Sequence, residues 1–146
     1  MFPGGILEQV KFVKVKDHSA AGTTEIDSDS VDMAADGGWD GVVFVSSFGT
    51  AAANNVANLQ ASADDSAWSD IAGSAPAVSS SDEDIIMSVV HPPGRYVRAQ
   101  MTPTTSSTVE SIWAILFRGK SLPYTGNTLA GTRRSKEVIS PALGTP

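Results

Sequence analysis

The chain has 146 residues, 41% of them hydrophobic and 18% charged, with no cysteine and a net charge of −6. That length suits one domain able to bury its own core, and the absence of cysteine excludes disulfides and thiolate metal sites. No stretch approaches the roughly 20 apolar residues of a membrane helix. The opening MFPGGILEQVKFVKV has neither a basic segment nor an apolar run of signal-peptide length, so a soluble product made in the cytoplasm is expected. The charge is unevenly placed. Residues 1–117 carry five basic residues (Lys11, Lys14, Lys16, Arg95, Arg98) against fifteen acids, net −10, while 118–146 carry five (Arg118, Lys120, Arg133, Arg134, Lys136) against Glu137, net +4. An acidic body with a basic tail is the pattern of an arm that docks on another surface.

The pattern predicts strands almost throughout. Within residues 6–15, Lys11, Val13 and Val15 alternate with Val10, Phe12 and Lys14, and the β-branched residues favour extended backbone. After a turn-rich break at 17–22, Thr23 to Met33 is a weaker, polar strand suited to a sheet edge. Gly37-Gly38 allow a sharp turn at positive φ into a buried strand from Val42 to Phe48. Gly49 to Asn55 is the one place for a short helix, which Asn54-Asn55 would end. Val56 to Ala63 sets Val56, Asn58, Gln60 and Ser62 on one face and Ala57, Leu59, Ala61 and Ala63 on the other. Asp64 to Ala67 is a turn, Trp68 to Ile71 a short strand, and 72–81 a low-complexity loop. Asp84 to His91 alternates Ile85, Met87 and Val89 with Ile86, Ser88 and Val90.

Gly94 to Gly119 reads as two long strands around the polar turn 103–108, most simply an antiparallel pair. The second of them, Val109 to Phe117, is apolar at nearly every position, as in a central strand covered on both faces. Trp113, Ile115 and Phe117 are therefore expected between the sheets. Seven or eight strands joined by Gly-, Pro- and Ser-rich links make an all-β, antiparallel two-sheet sandwich, with a jelly roll as first choice. The sandwich is expected over residues 1–119. Residues 120–146 lack sustained periodicity and are expected as an extended C-terminal arm lying on a neighbour, so a chain cut after Lys120 should keep its fold.

Two segments carry a further pattern: LQASADDSAWSDI from Leu59 to Ile71, and PPGRYVR from Pro92 to Arg98 followed by AILFRG at 114–119. Asp64-Asp65-Ser66 can cap turn amides, Trp68 can cover the open end of the sandwich, and Arg95 and Arg98 flank Tyr96 where they can stack or pair with acids. The combination resembles the discoidin-like jelly rolls, and at least as closely a group of small phage virion proteins associated with capsid decoration or cement roles. The resemblance spans Val42 to Gly119. The bracketing disulfide and longer N-terminal segment of discoidin-like domains are missing, and the loops are rich in Ser, Ala and Asp, which favours the virion proteins. It implies a structural protein that binds the outer capsid surface, with the major capsid protein as partner and a homotrimer as assembly, and that needs no cofactor. Tyr96 and Arg98 in the sandwich, and Tyr124, Arg133, Arg134 and Lys136 in the arm, are the expected partner-binding residues. The alternative is a carbohydrate-binding module on a phage tail or surface appendage, with Trp39, Trp68 or Tyr96 as the stacking platform.

Reaction chemistry is not legible in the chain. The clusters Asp27/Asp29/Asp32, Asp64/Asp65/Asp70 and Asp82/Glu83/Asp84 match no EF-hand loop and read as solvated turns. His18 and His91 have no Cys, His or Glu at ligand spacing. There is no Gly-x-Ser-x-Gly, and Gly37-Gly38 lacks the Lys-Ser/Thr and helix of a phosphate loop. The acidic body argues against nucleic-acid binding. The expectation is a protein that is not an enzyme and holds no metal.

Overall fold

A computed structural model describes residues 10–50, 54–78, 81–118, 133–139 and 141–146. In chain order its strands are β1 (Val10–Lys16), β2 (Ser19–Gly22), β3 (Ile26–Asp27), β4 (Val31–Asp32), β5 (Gly41–Ser47), β6 (Val56–Ser62), β7 (Ser69–Asp70), β8 (Asp84–Val90), β9 (Tyr96–Thr102), β10 (Ser107–Val109), β11 (Ile112–Phe117) and β12 (Arg133–Ile139). One sheet, here the β5 sheet, runs β1-β11-β5-β8-β12. The other, the β9 sheet, runs β3-β9-β6-β7 with β4 also on β9, and β2 and β10 form a separate ribbon.

The antiparallel pairs are nested. β1 pairs with β11, β3 and β4 with β9, β5 with β8, and β6 with β7. A long hairpin folded over on itself gives this order, with successive pairs falling in alternate sheets. This is the jelly roll expected from the strand spacing.

Period-two alternation sets what lies between the sheets. The β5 sheet contributes Val42, Phe44, Ile85, Met87, Val89, Ile112, Ala114 and Leu116, and the β9 sheet contributes Ala57, Leu59, Ala61, Val97, Ala99 and Met101, all buried. The β9 layer includes three alanines where the β5 layer carries Phe44, Met87 and Leu116, and mixing large and small side chains in one core is how two layers reach close packing.

The structure corrects the reading of Gly94 to Gly119. β9 and β11 are not partners: β9 pairs with β6 in one sheet and β11 with β5 in the other. The link between them crosses the sandwich because Asn55 holds it. The buried Asn55 accepts from the Thr104 N–H at 2.7 Å and from its hydroxyl at 2.9 Å, and donates to Ser107 Oγ at 3.0 Å. Thr105 and Ser106 turn at φ 49° and 54°, and β10 then pairs with β2 before β11 begins. A second correction follows from the same parity. Ile112, Ala114 and Leu116 are inside, so Trp113, Ile115 and Phe117 point outward, and Trp113 is 44% exposed.

The tail also differs from an arm laid on a neighbour. Residues 133–139 are β12, parallel to β8 from Arg133↔Asp84 to Ile139↔Val90. Beyond it, Leu143 bridges Ile71, the Ala72 N–H donates to the Ala142 carbonyl and the Gly144 N–H to the Asp70 carbonyl. The end of the chain thus joins the β8 edge of one sheet to the β7 edge of the other. An edge strand with unpaired backbone groups attracts whatever extended segment is at hand, and here that segment belongs to the same chain.

At the turn before β9, a methyl group added to Gly94 would lie 2.7 Å from the Ser62 carbonyl oxygen. Only glycine lets the chain pass β6 that closely.

Candidate docking surface

The two outward faces of the sandwich have opposite chemistry. On the β9 sheet, register sets Gln60 between Arg98 and Asp70, and Gln100 between Asn58 and Asp27. These side chains bind one another. Asp70 Oδ1 accepts from Asn58 at 3.0 Å and Gln60 at 2.9 Å, and Arg98 donates to Gln60 Oε1 at 2.9 Å. Arg98 also pairs with Asp27 at 3.1 Å, and Gln100 donates to that same carboxylate at 3.0 Å. Asn58, Gln60 and Gln100 are buried beneath this network. A connected, satisfied network of this kind fixes the register of four strands.

Expected partner-binding residues Tyr96 and Arg98 both lie on this face, and neither is free there. The Arg98 guanidinium stands 4.4 Å from the centre of the Trp68 ring. Trp68 therefore covers the strand face rather than the open end of the sandwich. Arg95 stands 5.2 Å from the Tyr96 ring and grips Asp32 with two hydrogen bonds of 2.9 and 2.8 Å. That fork, with a further bond from the Ala34 N–H, holds the Asp32 carboxyl down at about 2. Asp64 is lowered as well, by the N–H groups of Ala67 and Ser66 and the hydroxyls of Ser66 and Ser62, as expected of a turn-capping acid. Trp39, the third candidate platform, has Arg118 at 4.1 Å over its ring. Arg118 also donates to the carbonyls of Gly38 (2.7 Å) and Asp36. Each aromatic ring proposed for sugar stacking thus carries an arginine. Among the described residues no three acidic or histidine side chains group as metal ligands.

The arm residues lie elsewhere. Tyr124 falls outside the described residues. Arg133, Arg134 and Lys136 are on β12, in register with Asp84, Ile85 and Met87, at the edge of the β5 sheet. The expected site is therefore split between opposite sheets.

The outward face of the β5 sheet was not foreseen as a site. Register arranges it in rows. One runs Lys14–Trp113–Val45–Ile86, the next Phe12–Ile115–Val43–Ser88, and the third Val10–Phe117–Gly41–Val90–Ile139. Phe12 is 46%, Trp113 44% and Ile139 52% exposed. The ring of Phe117 lies over Gly41, where an added methyl would collide with it. By the same register Ser135 and Glu137 of β12 extend the first two rows beside Ile86 and Ser88, and at the opposite edge Lys14 pairs with Asp17 at 2.8 Å. The signal was in the sequence, since β11 is apolar at both parities. That is the pattern of a strand covered on both faces, yet here its second face looks outward with Trp113 exposed.

Comparison with protein-family models, curated proteins and solved structures finds no match to this chain. Its function has to be argued from these surfaces. Those surfaces are a broad apolar outward face on the β5 sheet and a polar outward face on the β9 sheet whose side chains bind one another.

Proposed function

We propose that this chain is a structural virion protein, a capsid decoration or cement protein that assembles as an oligomer, binds the major capsid protein on the outer shell and stabilises the head. The observation that carries the proposal is the apolar outward face of the β5 sheet, with Phe12, Trp113 and Ile139 exposed on it. The jelly-roll order of the strands, an architecture used in viral shells, and the motif resemblance over Val42 to Gly119 support the same reading. The role is adhesive: several modest contacts per oligomer add through avidity. Glycan binding is the weaker reading, because Trp39, Trp68 and Tyr96 each have a ring face engaged by an arginine.

The test starts from the gene. A major capsid gene is expected as its neighbour, and shells assembled from that neighbour's product should retain the purified chain on sedimentation. Absence of such a neighbour, or shells that leave the chain in the supernatant at micromolar concentration, would overturn the proposal.

A further inference from the structure

We infer that a second copy of this chain covers the outward face of the β5 sheet, sheet against sheet, about a two-fold axis parallel to the strands and passing over β5. This rests on the reading of that face as a protein-docking surface and adds what docks there.

Size is the first argument. Five strands about 4.8 Å apart and three outward rows about 6.8 Å apart span roughly 24 by 20 Å, about 480 Å² in projection. Two such faces together reach about 1,000 Å², where specific interfaces begin. Left open, a patch of that size is near the upper end for a chain that stays single.

Charge is the second. The body carries fifteen acids against five basic residues, so most ways of joining two copies bring like charges together. On this face register places Lys14 on the β1 edge and Glu137 on the β12 edge, and Lys14 has Asp17 beside it. An axis that lays the β1 edge of one copy over the β12 edge of the other brings Glu137 towards β1 and not towards its own counterpart.

Shape selects the axis. The bulky side chains stand on one half, with Phe12 on β1 and Trp113, Ile115 and Phe117 on β11. The other half holds Ile86, Ser88 and Val90 on β8, with Ser88 small and buried, and in β5 the Phe117 ring covers Gly41. A two-fold axis parallel to the strands lays β11 of one copy over β8 of the other, Trp113 against Ile86, Ile115 against Ser88 and Phe117 against Val90, so that aromatic rings meet aliphatic side chains. An axis perpendicular to the strands would set aromatic on aromatic. With the parallel axis, Val45 meets its own counterpart, and the sheets can stack about 10 Å apart as they do inside a sandwich. The contact is isologous and closes on itself.

Sedimentation of the full chain should give twice the chain mass. Trp113→Asp should sediment as a single chain with unchanged far-ultraviolet circular dichroism. Because the chain has no cysteine, a second measurement does not depend on losing the contact. Val45→Cys should cross-link to a dimer with a short bismaleimide, whereas Val56→Cys, exposed on the β9 sheet, should not. A three-copy mass, or a dimer that persists in Trp113→Asp while Val45→Cys stays uncross-linked, overturns the arrangement. A single-chain mass with Trp113 fluorescence shielded from iodide would show that the chain covers its own face, and overturns it too. A single-chain mass with shell binding lost in Trp113→Asp would give the face to the capsid, overturning the pairing but not the decoration role. A dimer sensitive to Trp113→Asp that ignores shells keeps the pairing and removes that role.

Discussion

At the scale of single residues, polar side chains decide where the chain turns. Asn55 ties Thr104 and Ser107 across some fifty positions of sequence, and its amide is buried. Asn55→Ala removes the buried oxygen that accepts from the Thr104 N–H and hydroxyl and should lower stability by about 1–3 kcal/mol in urea unfolding; a change within about 0.5 kcal/mol would mean the turn is held otherwise. Asp32 predicts the acid response. Its folded value of about 2 lies below the ordinary 3.8 because of Arg95 and the Ala34 N–H, so the unfolded chain takes up the extra proton first. The stability from this pair is full above about pH 5 and is lost as pH falls through 3.8 towards 2. Asp64 is shifted in the same direction. Melting temperatures of the wild type should therefore fall steeply across that range, and those of Asp32→Asn less steeply. Identical slopes would show that the fork does not hold in solution.

At the scale of elements, the two corrections concern what each strand meets. Phe44 is fully buried, whereas Phe117 lies on the outward face over Gly41. Phe44→Ala should cost about 3–5 kcal/mol by leaving a cavity. Phe117→Ala should cost only about 1–2 kcal/mol, since part of the ring already meets water; equal losses would put Phe117 back between the sheets. The tail makes a sharper contrast. Read as an arm, it could be removed without harm. As β12 on β8, with Leu143 at Ile71, it closes two sheet edges, and a chain ending at residue 132 should lose about 2–4 kcal/mol. An unfolding midpoint equal to that of the full chain would return the tail to the role of an arm.

At the scale of the whole molecule, nesting has a kinetic consequence. β1 must find β11 and β3 must find β9, pairings separated by some seventy to a hundred residues. Loop closure on that scale precedes most of the stabilising contacts, so folding should take milliseconds to seconds, as in other sandwiches of non-local topology. Stopped-flow refolding complete within microseconds would contradict the nested order. The same nesting leaves each sheet with an outward face. One is sealed by the network around Arg98, while the other leaves Phe12 and Trp113 exposed.

The sequence by itself determined the fold class and most of the strands, because period-two alternation in Val56–Ser62, Asp84–Val90 and Tyr96–Thr102 is a local property that survives without knowledge of partners. The acid-capped turn at Asp64 and the pairing of Arg95 and Arg98 with carboxylates were legible for the same reason: the groups involved are short-range or scarce. Pairing was not legible. Whether β9 continues into a hairpin with β11 depends on Asn55, which is distant in sequence and gives no local sign. Nor does a strand that is apolar at both parities say what covers its second face. For β11 only the tertiary structure showed that Leu116 meets the core while Trp113 faces outward, because burial depends on which sheets come together, and that is decided by contacts no window of sequence contains.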